Sequence, residues 1–357
     1  MRILAIDPGS TTTKIGIFQE GGLVKQTIPH ARDVIRKFTR ISDQFPFRLK
    51  EVEEFLIKEK AAAEVFDAVV GRGGLVRPLE GGVYRVNEAM VRDLQAGISG
   101  QHPANLGGLL ADSFAGRFRC PAYVVDPPVV DELWPVARIS GFAEIDRVSL
   151  FHALNQKAAG RTVAEELGKS YQDCRLIVAH MGGGITVGAH CRGKVVDVND
   201  GLNGDGPFSP ERTGGLPVGG VLRLLKEERY RIAELQEIVS RRGGVYSYLE
   251  TVDLQEVESR VQKGDRKSRL VLEAMIYQIA KEIGAMAAAL DGEVDAIVLT
   301  GGIAHSEYLT GHLHRKVRFI APIFIKPGEY EIEALVDGVR RVMNGSEKVK
   351  EYGEGLK

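Results

Sequence analysis

Asp7-Pro8-Gly9-Ser10-Thr11-Thr12-Thr13-Lys14 gathers a carboxylate, four hydroxyls, a glycine and an amine into eight residues. The run lies between two apolar stretches, Ile3-Leu4-Ala5-Ile6 before it and Ile15-Gly16-Ile17-Phe18 after it. That pattern predicts a hairpin with a buried first strand and the polar residues at its tip. Backbone N–H groups in such a tip, with Ser10, the three Thr hydroxyls and Lys14, can hold phosphate oxygens without a helix N-terminus. Asp-Pro-Gly-Ser is also ordinary turn chemistry, so this segment alone is consistent with a plain turn.

Two further glycine clusters stand where strands end. His180-Met181-Gly182-Gly183-Gly184 follows the apolar run 175–181, and Leu299-Thr300-Gly301-Gly302-Ile303 follows 296–300. Glycine after a strand lets the backbone approach a ligand and aim N–H groups at phosphates. Any α/β protein needs glycines in such turns, but three clusters in two halves of the same layout favour a nucleotide between the halves. Two tempting motifs fail. Gly188-Ala189-His190-Cys191-Arg192-Gly193-Lys194-Val195 nearly spells a phosphate loop, yet Val195 replaces the required Ser or Thr and no helix follows. No Gly-x-Gly-x-x-Gly follows the first strand, and no His-Glu-x-x-His spacing or metal cage is present.

The elements that position these groups alternate as strand and helix, the α/β signature. Strands are predicted at 68–70, 122–126, 175–181, 186–190, 194–197 and 296–300, with helices at 87–96, 107–118, 150–167 and 268–290. The second half reopens as strand, glycine hairpin, strand, an echo of residues 2–18. At 357 residues the chain suggests two domains. Lys+Arg 47 against Asp+Glu 48 leaves a net charge of −1, which gives no long-range electrostatic case for nucleic acid or an anionic membrane. The apolar runs are strand-sized, too short to span a bilayer. The opening has no signal-peptide pattern, and Cys120, Cys174 and Cys191 form no Cys-x-x-Cys pair. A reducing cytoplasm is the expected compartment.

In order along the chain, Asp7–Lys14, Val70-Gly71-Arg72-Gly73-Gly74, His102-Pro103-Ala104-Asn105, Phe151-His152, His180–Gly184, Ser209-Pro210-Glu211-Arg212, Leu299–Gly302 and Pro327-Gly328-Glu329 resemble the acetate and butyrate kinases of the acetokinase family, within the actin-like ATPase superfamily. The resemblance covers essentially the whole chain and leans to the butyrate branch. It implies two domains with a duplicated ribonuclease H-like core, spanning 1–147 with 331–357 and 148–330, and an active site in the cleft between them. It implies ATP and Mg²⁺ as cofactors, a short-chain fatty acid as substrate, and a homo-oligomer. Arg72 and Arg212 match arginines that face the carboxylate and the transferred phosphoryl group, and His152 a histidine that contacts that group. Asp126 and Glu329 match acidic residues near the metal, with Glu331 close enough to compete for the second role. His102 and Phe151 match substrate-side residues. Asp7, Ser10, Thr12 and Lys14, His180 with Gly182, Gly183 and Gly184, and Gly301, Gly302 and Ile303 match nucleotide-binding positions. Asp7 stands where the family more often has Asn, and Ala153-Leu154-Asn155 is more apolar than the acetate-kinase continuation after His152.

The chemistry implied is fatty acid plus ATP giving acyl phosphate plus ADP. A carboxylate nucleophile, with pKa near 4, is already ionised at neutral pH, so no general base is needed. What is needed is to bring two anions together and stabilise the phosphoryl group in flight. Two planar guanidinium forks and an imidazole donor suit that task. Acetate or propionate kinase is the nearest rival, because one methylene in an apolar pocket is worth only about 1–3 kcal/mol. A non-catalytic ATP-binding regulator or a sugar kinase on the same fold is the alternative of another class. A sugar kinase would use an Asp base, which Asp126 could supply, but Arg72 and Arg212 would then lack a role.

Overall fold

The apolar run that opens the chain is the middle of a sheet. In the computed structural model, which describes residues 1–353, Ile3, Leu4, Ala5 and Ile6 are all fully buried. The chain divides into two compact units, Met1–Val130 with Tyr330–Lys357, and Asp131–Glu329. The first unit opens with β1 (Ile3–Pro8), β2 (Thr12–Gln19), β3 (Gly22–Pro29), β4 (Ala68–Arg72), β5 (Val83–Arg85) and β6 (Ala122–Val125). The second holds β7 (Arg175–Met181), β8 (Ile185–Cys191), β9 (Lys194–Val198), β10 (Ala296–Gly301) and β11 (Ile323–Pro327). The short strand β12 (Lys350–Glu351) returns to the first.

The two sheets share one plan. In the first, β1, β2 and β3 form an antiparallel meander, and β1 continues in parallel to β4 and then β6, in the order β12-β5-β6-β4-β1-β2-β3. In the second, β7, β8 and β9 form the meander and β7 continues in parallel to β10 and β11, in the order β11-β10-β7-β8-β9. Omitting β5 and β12, the connectivity is the same. The half-to-half echo in the sequence is thus a duplicated core. Central strands paired on both sides and covered on both faces read as unbroken apolar runs. In the second unit, helix Ala153–Glu166 packs Ala159, Val163 and Ala164 against Leu176, Val178, Ala296 and Val298. Helix Arg266–Ala289 covers the opposite face through Leu272, Met275, Ile276 and Ile279 against Ile177, Ala179 and Val187.

The first boundary falls earlier than the sequence suggests, at 130/131 and not 147/148, because residues 131–147 are tied to the second unit by hydrogen bonds. The Trp134 amide donates to the Val196 carbonyl at 2.9 Å, Glu132 accepts from the Val195 amide at 2.8 Å and from Lys157, and Arg147 pairs with Asp197 at 2.7 Å. At the other end helix Glu331–Met343 belongs to the first unit, burying Ile332, Leu335, Val336 and Val339. Among the described residues no helix is long and apolar enough to cross a membrane.

One contact fixes where Arg72 emerges. A Cβ on Gly71 would collide with the Gly107 carbonyl oxygen, and a Cβ on Gly107 with the Arg72 carbonyl oxygen. The end of β4 therefore lies backbone against backbone on helix Asn105–Phe118. Helix propensity alone predicts that Gly107→Ala stabilises by about 1 kcal/mol. The contact predicts the opposite sign: overpacking should lower the unfolding free energy by about 1–3 kcal/mol in a urea titration.

Candidate functional site

In the first unit the β1–β2 register sets Asp7 opposite Lys14. Arg72, at the end of β4, brings its Nη1 to 3.4 Å from Asp7 Oδ1 and 4.0 Å from Glu331 Oε1, and Lys14 Nζ lies 3.1 Å from Glu331 Oε2. Two cations and two carboxylates thus form one cluster in which Asp7 and Glu331 are buried and Arg72 and Lys14 half-buried. Burial raises the Asp7 carboxyl above its ordinary range, and the neighbouring Glu331 charge adds to this against the pull of Arg72 and Lys14. Burial acts the same way on Glu331, but Arg72 and Lys14 outweigh it and hold Glu331 below its ordinary value. The cluster therefore prefers one ionised carboxylate, Glu331, with Asp7 as the partner that sheds charge first.

The hairpin tip is clamped from beneath by a residue that sequence reading missed. Arg48, on helix Phe45–Lys58, is fully buried, and its guanidinium donates to the carbonyls of Thr12 (2.6 Å) and Gly9 (2.9 Å) and to Thr13 Oγ1 (2.7 Å). Burial lowers Arg48 to about 10. Thr13 Oγ1 also meets His30 Nε2 at 2.8 Å, and burial together with the Arg48 charge lowers His30 to about 4. His30 is thus neutral at pH 7. Of the three threonines expected at the tip, Thr13 points inward and serves this clamp. Thr12 is half-buried, and Ser10 and Thr11 are exposed.

Asp126 and His102 are the other sequence candidates in this unit. Asp126 directly follows β6 with φ +39, the left-handed region, at a backbone cost of about 1–3 kcal/mol. Its Oδ1 accepts the Gly82 amide at 2.7 Å. His102 is half-buried, and its Nδ1 accepts the Ala104 amide at 3.1 Å, at the start of helix Asn105–Phe118. Among the described residues no group of three or more His, Cys, Asp or Glu is gathered to hold a metal. In this unit Arg72 bridges the carboxylates of Asp7 and Glu331. Glu329, the sequence candidate, is exposed and is the last residue of the second unit. Glu331 takes the place in the cluster because it opens the returning helix beside β1, β2 and β4.

In the second unit the β7–β10 pairing sets His180 opposite Thr300 and so puts the turns at 182–184 and 301–303 side by side. Gly301 has φ +89, while Gly183 and Gly302 are exposed and Ile303 half-buried. The loop Ser209–Arg212 folds over the first turn: Ser209 Oγ donates to the Gly183 carbonyl at 2.5 Å and accepts the Arg212 amide at 3.1 Å. A Cβ on Gly184 would collide with Arg212 Nη1, so glycine there makes room for the guanidinium. Arg212 donates to the Gly201 carbonyl at 2.5 Å, but its Nε is shut off from water with no hydrogen-bond partner. Burial lowers Arg212 below its ordinary value although Glu211 and Asp200 pull the other way. This is a cation in want of an anion.

His152 stands at the N-terminus of helix Ala153–Glu166, stacked on His180 with ring centroids 4.0 Å apart. Its Nδ1 lies 2.9 Å from Thr186 Oγ1. Asn155 Oδ1 meets both His180 Nδ1 (2.9 Å) and Thr300 Oγ1 (3.1 Å), leaving Asn155 Nδ2 buried without a partner. Sequence reading passed over Asn155 and Thr186. The spacing of His152, Asn155 and Gln156, one helix face at i, i+3 and i+4, was the signal for the first. Phe151 is buried.

Known structures share this architecture. Acetate kinase from Porphyromonas gingivalis matches with a TM-score of 0.76 at 18% identity, covering 95% of this chain and 99% of that one. Acetate kinase from Entamoeba histolytica matches at 0.74 and 15% identity, covering 95% and 99%. A propionate kinase from Francisella tularensis matches at 0.72 and 17% identity, covering 94% and 98%. The fold is the actin-like ATPase fold of these kinases. The sequence model of the Acetokinase family matches residues 145–316, a segment inside the second unit that contains His152, His180, Arg212 and both glycine turns.

The cluster around Asp7 carries a pH signature. An acid whose pKa is raised by folding stabilises the native state only below its unfolded value, and the contribution is lost as pH rises through the folded value. Asp7→Asn should therefore melt higher than the parent at pH 7–8 without divalent metal, with the difference vanishing towards pH 4 by thermal unfolding.

Proposed function

We propose that this protein is an acetokinase-family phosphotransferase that moves the γ-phosphoryl group of ATP to the carboxylate of a short-chain fatty acid, giving acyl phosphate and ADP, reversibly. The observation that carries the reading is Arg212: a partly buried guanidinium with an unpartnered Nε, laid over a glycine turn in a segment that matches the Acetokinase family. Such a group is built for an anion that arrives with the substrate.

The two units contribute different chemistry. In the second, the N–H groups of the turns at 182–184 and 301–303 take nucleotide phosphates, Arg212 takes the phosphoryl group in flight, and His152 donates to one of its oxygens. In the first, Ser10, Thr12 and Lys14 at the hairpin take phosphate oxygens and Arg72 takes the carboxylate. Asp7 and Glu331 would hold a Mg²⁺ carried by the nucleotide, since a phosphate-borne Mg²⁺ needs only one or two protein carboxylates, and the ion would supply charge neutralisation for the diphosphate. Glu331 replaces Glu329 in this assignment because it is the carboxylate that shares Lys14 and Arg72. Asp126 supports the site through the turn it makes with Gly82.

The substrate is assigned as butyrate or a branched acid such as isobutyrate, on the apolar Ala153-Leu154-Asn155 continuation after His152. Acetate and propionate are the rival substrates, favoured by the solved kinases that share the fold.

Acyl phosphate trapped as hydroxamate, from ATP, Mg²⁺ and acids from acetate to valerate with isobutyrate, tests the reading. Product peaking at butyrate or isobutyrate is expected; a peak at acetate would move the protein to the acetate branch, and no product with any acid would end the kinase reading. Arg72→Ala and Arg212→Ala should each lower kcat by about 10²–10³-fold, the usual cost of one donor to developing charge.

A further inference from the structure

We propose that a buried chain of hydrogen bonds running from Tyr171 through His190, Gln156 and Thr186 fixes the proton of His152 on its Nε2, making these four residues positioning residues for the reaction. The inference rests on the carboxylate-kinase reading only for what His152 then does with that proton.

Each link has one direction. Gln156 brings its amide nitrogen to 3.0 Å from the Thr186 carbonyl oxygen and 2.8 Å from Thr186 Oγ1. A carbonyl only accepts, so the amide nitrogen belongs there and Oε1 faces the other way. On that side His190 Nε2 lies 2.9 Å from Oε1, which also only accepts, so His190 carries a hydrogen on Nε2. His190 is fully buried, and burial with the nearby Lys157 and Arg161 charges keeps it well below its ordinary value. It holds a single proton, and its bare Nδ1 accepts from the Tyr171 hydroxyl at 2.8 Å. At the other end Thr186 Oγ1 receives a hydrogen from Gln156. Thr186 is fully buried, and among the described residues His152 Nδ1, at 2.9 Å, is the acceptor for its own hydrogen. His152 Nδ1 is thereby an acceptor, and its hydrogen sits on Nε2.

The surroundings are cut to fit this chain. A Cβ on Gly188 would lie 2.5 Å from Gln156 Oε1, and one on Gly160 would lie 3.0 Å from the Tyr171 ring and 3.6 Å from His190 Nδ1. Gly188 and His190 belong to the stretch that almost spells a phosphate loop; their place is here, and β8 shifts register against β9 between Ala189 and His190. Four polar side chains buried between sheet and helix are costly unless every hydrogen is used, and in this order every one is. The result is a neutral ring that offers N–H where the opposite tautomer would turn a lone pair towards an anionic phosphoryl group.

The test reads the ring nitrogens of His152 in ¹⁵N-labelled full-length protein by long-range ¹H–¹⁵N correlation, the signal assigned with His152→Gln. The expected spectrum shows a protonated Nε2 and a bare Nδ1. Thr186→Ser, which keeps the hydroxyl, should preserve the spectrum and kcat. Thr186→Val should mix the two tautomers and lower kcat by about 10–100-fold, with KM for ATP and acid within about twofold of the parent. A parent protein with the proton on Nδ1, or a Thr186→Val protein that keeps the Nε2–H spectrum and full kcat, would overturn the proposal. The spectrum needs no turnover. Parent protein that shows the expected spectrum but makes no acyl phosphate would sink the kinase reading and leave the relay standing.

Discussion

Arg212 lies over Gly184 with one hydrogen bond to a carbonyl oxygen, and its Nε is closed off from water without a partner. A guanidinium desolvated without a bonded counter-charge is unfavourable by several kcal/mol in the general case. The fold holds it there by local means: the Ser209–Arg212 loop is hydrogen-bonded to itself and to Gly183, and glycine at 184 clears the space. The strain of the arrangement makes sense when a negatively charged group completes it. The glycine turn at 182–184 lies beside this loop through the Ser209–Gly183 hydrogen bond.

The first unit solves a related problem with the charges already present. Arg48 is buried deeper than Arg212 but spreads its donors over two carbonyls, Thr13 and Gln44, so it is satisfied and its work is to hold the hairpin tip in shape. Arg72 and Lys14 share Glu331 and Asp7, and burial presses one of these carboxylates towards neutrality. The outcome is a cluster with little spare negative charge. Each unit thus has the same strand order and an arginine that donates to backbone carbonyl oxygen, Arg48 to two and Arg212 to one.

Much of this was legible in the sequence. The strands, the hairpin tip and both glycine turns follow from apolar runs that stop at glycine, and the duplicated order is visible as their recurrence. What was not legible depends on contacts distant in sequence. Glu331 meets Lys14 and Arg72 only because the last helix returns to β1 and β4, across more than half the chain. Arg48 looks like a surface residue on an amphipathic helix until the hairpin closes over it. Thr13 alternates inward while its neighbours stay near the surface, a consequence of strand register. The first domain boundary moved because 131–147 has little apolar periodicity, and its hydrogen bonds to β9, not its pattern, decide where it belongs.

The account depends on Arg212 being held at a cost that an anionic ligand relieves, and thermal unfolding of Arg212→Met, which keeps the bulk and removes the charge, tests this directly. The prediction is that the variant melts higher than the parent without ligand, and gains less than the parent from saturating MgATP, since stabilisation by a ligand tracks its affinity for the native state. A variant that melts lower without ligand and gains as much from MgATP would contradict it, and would reduce Arg212 to a structural residue.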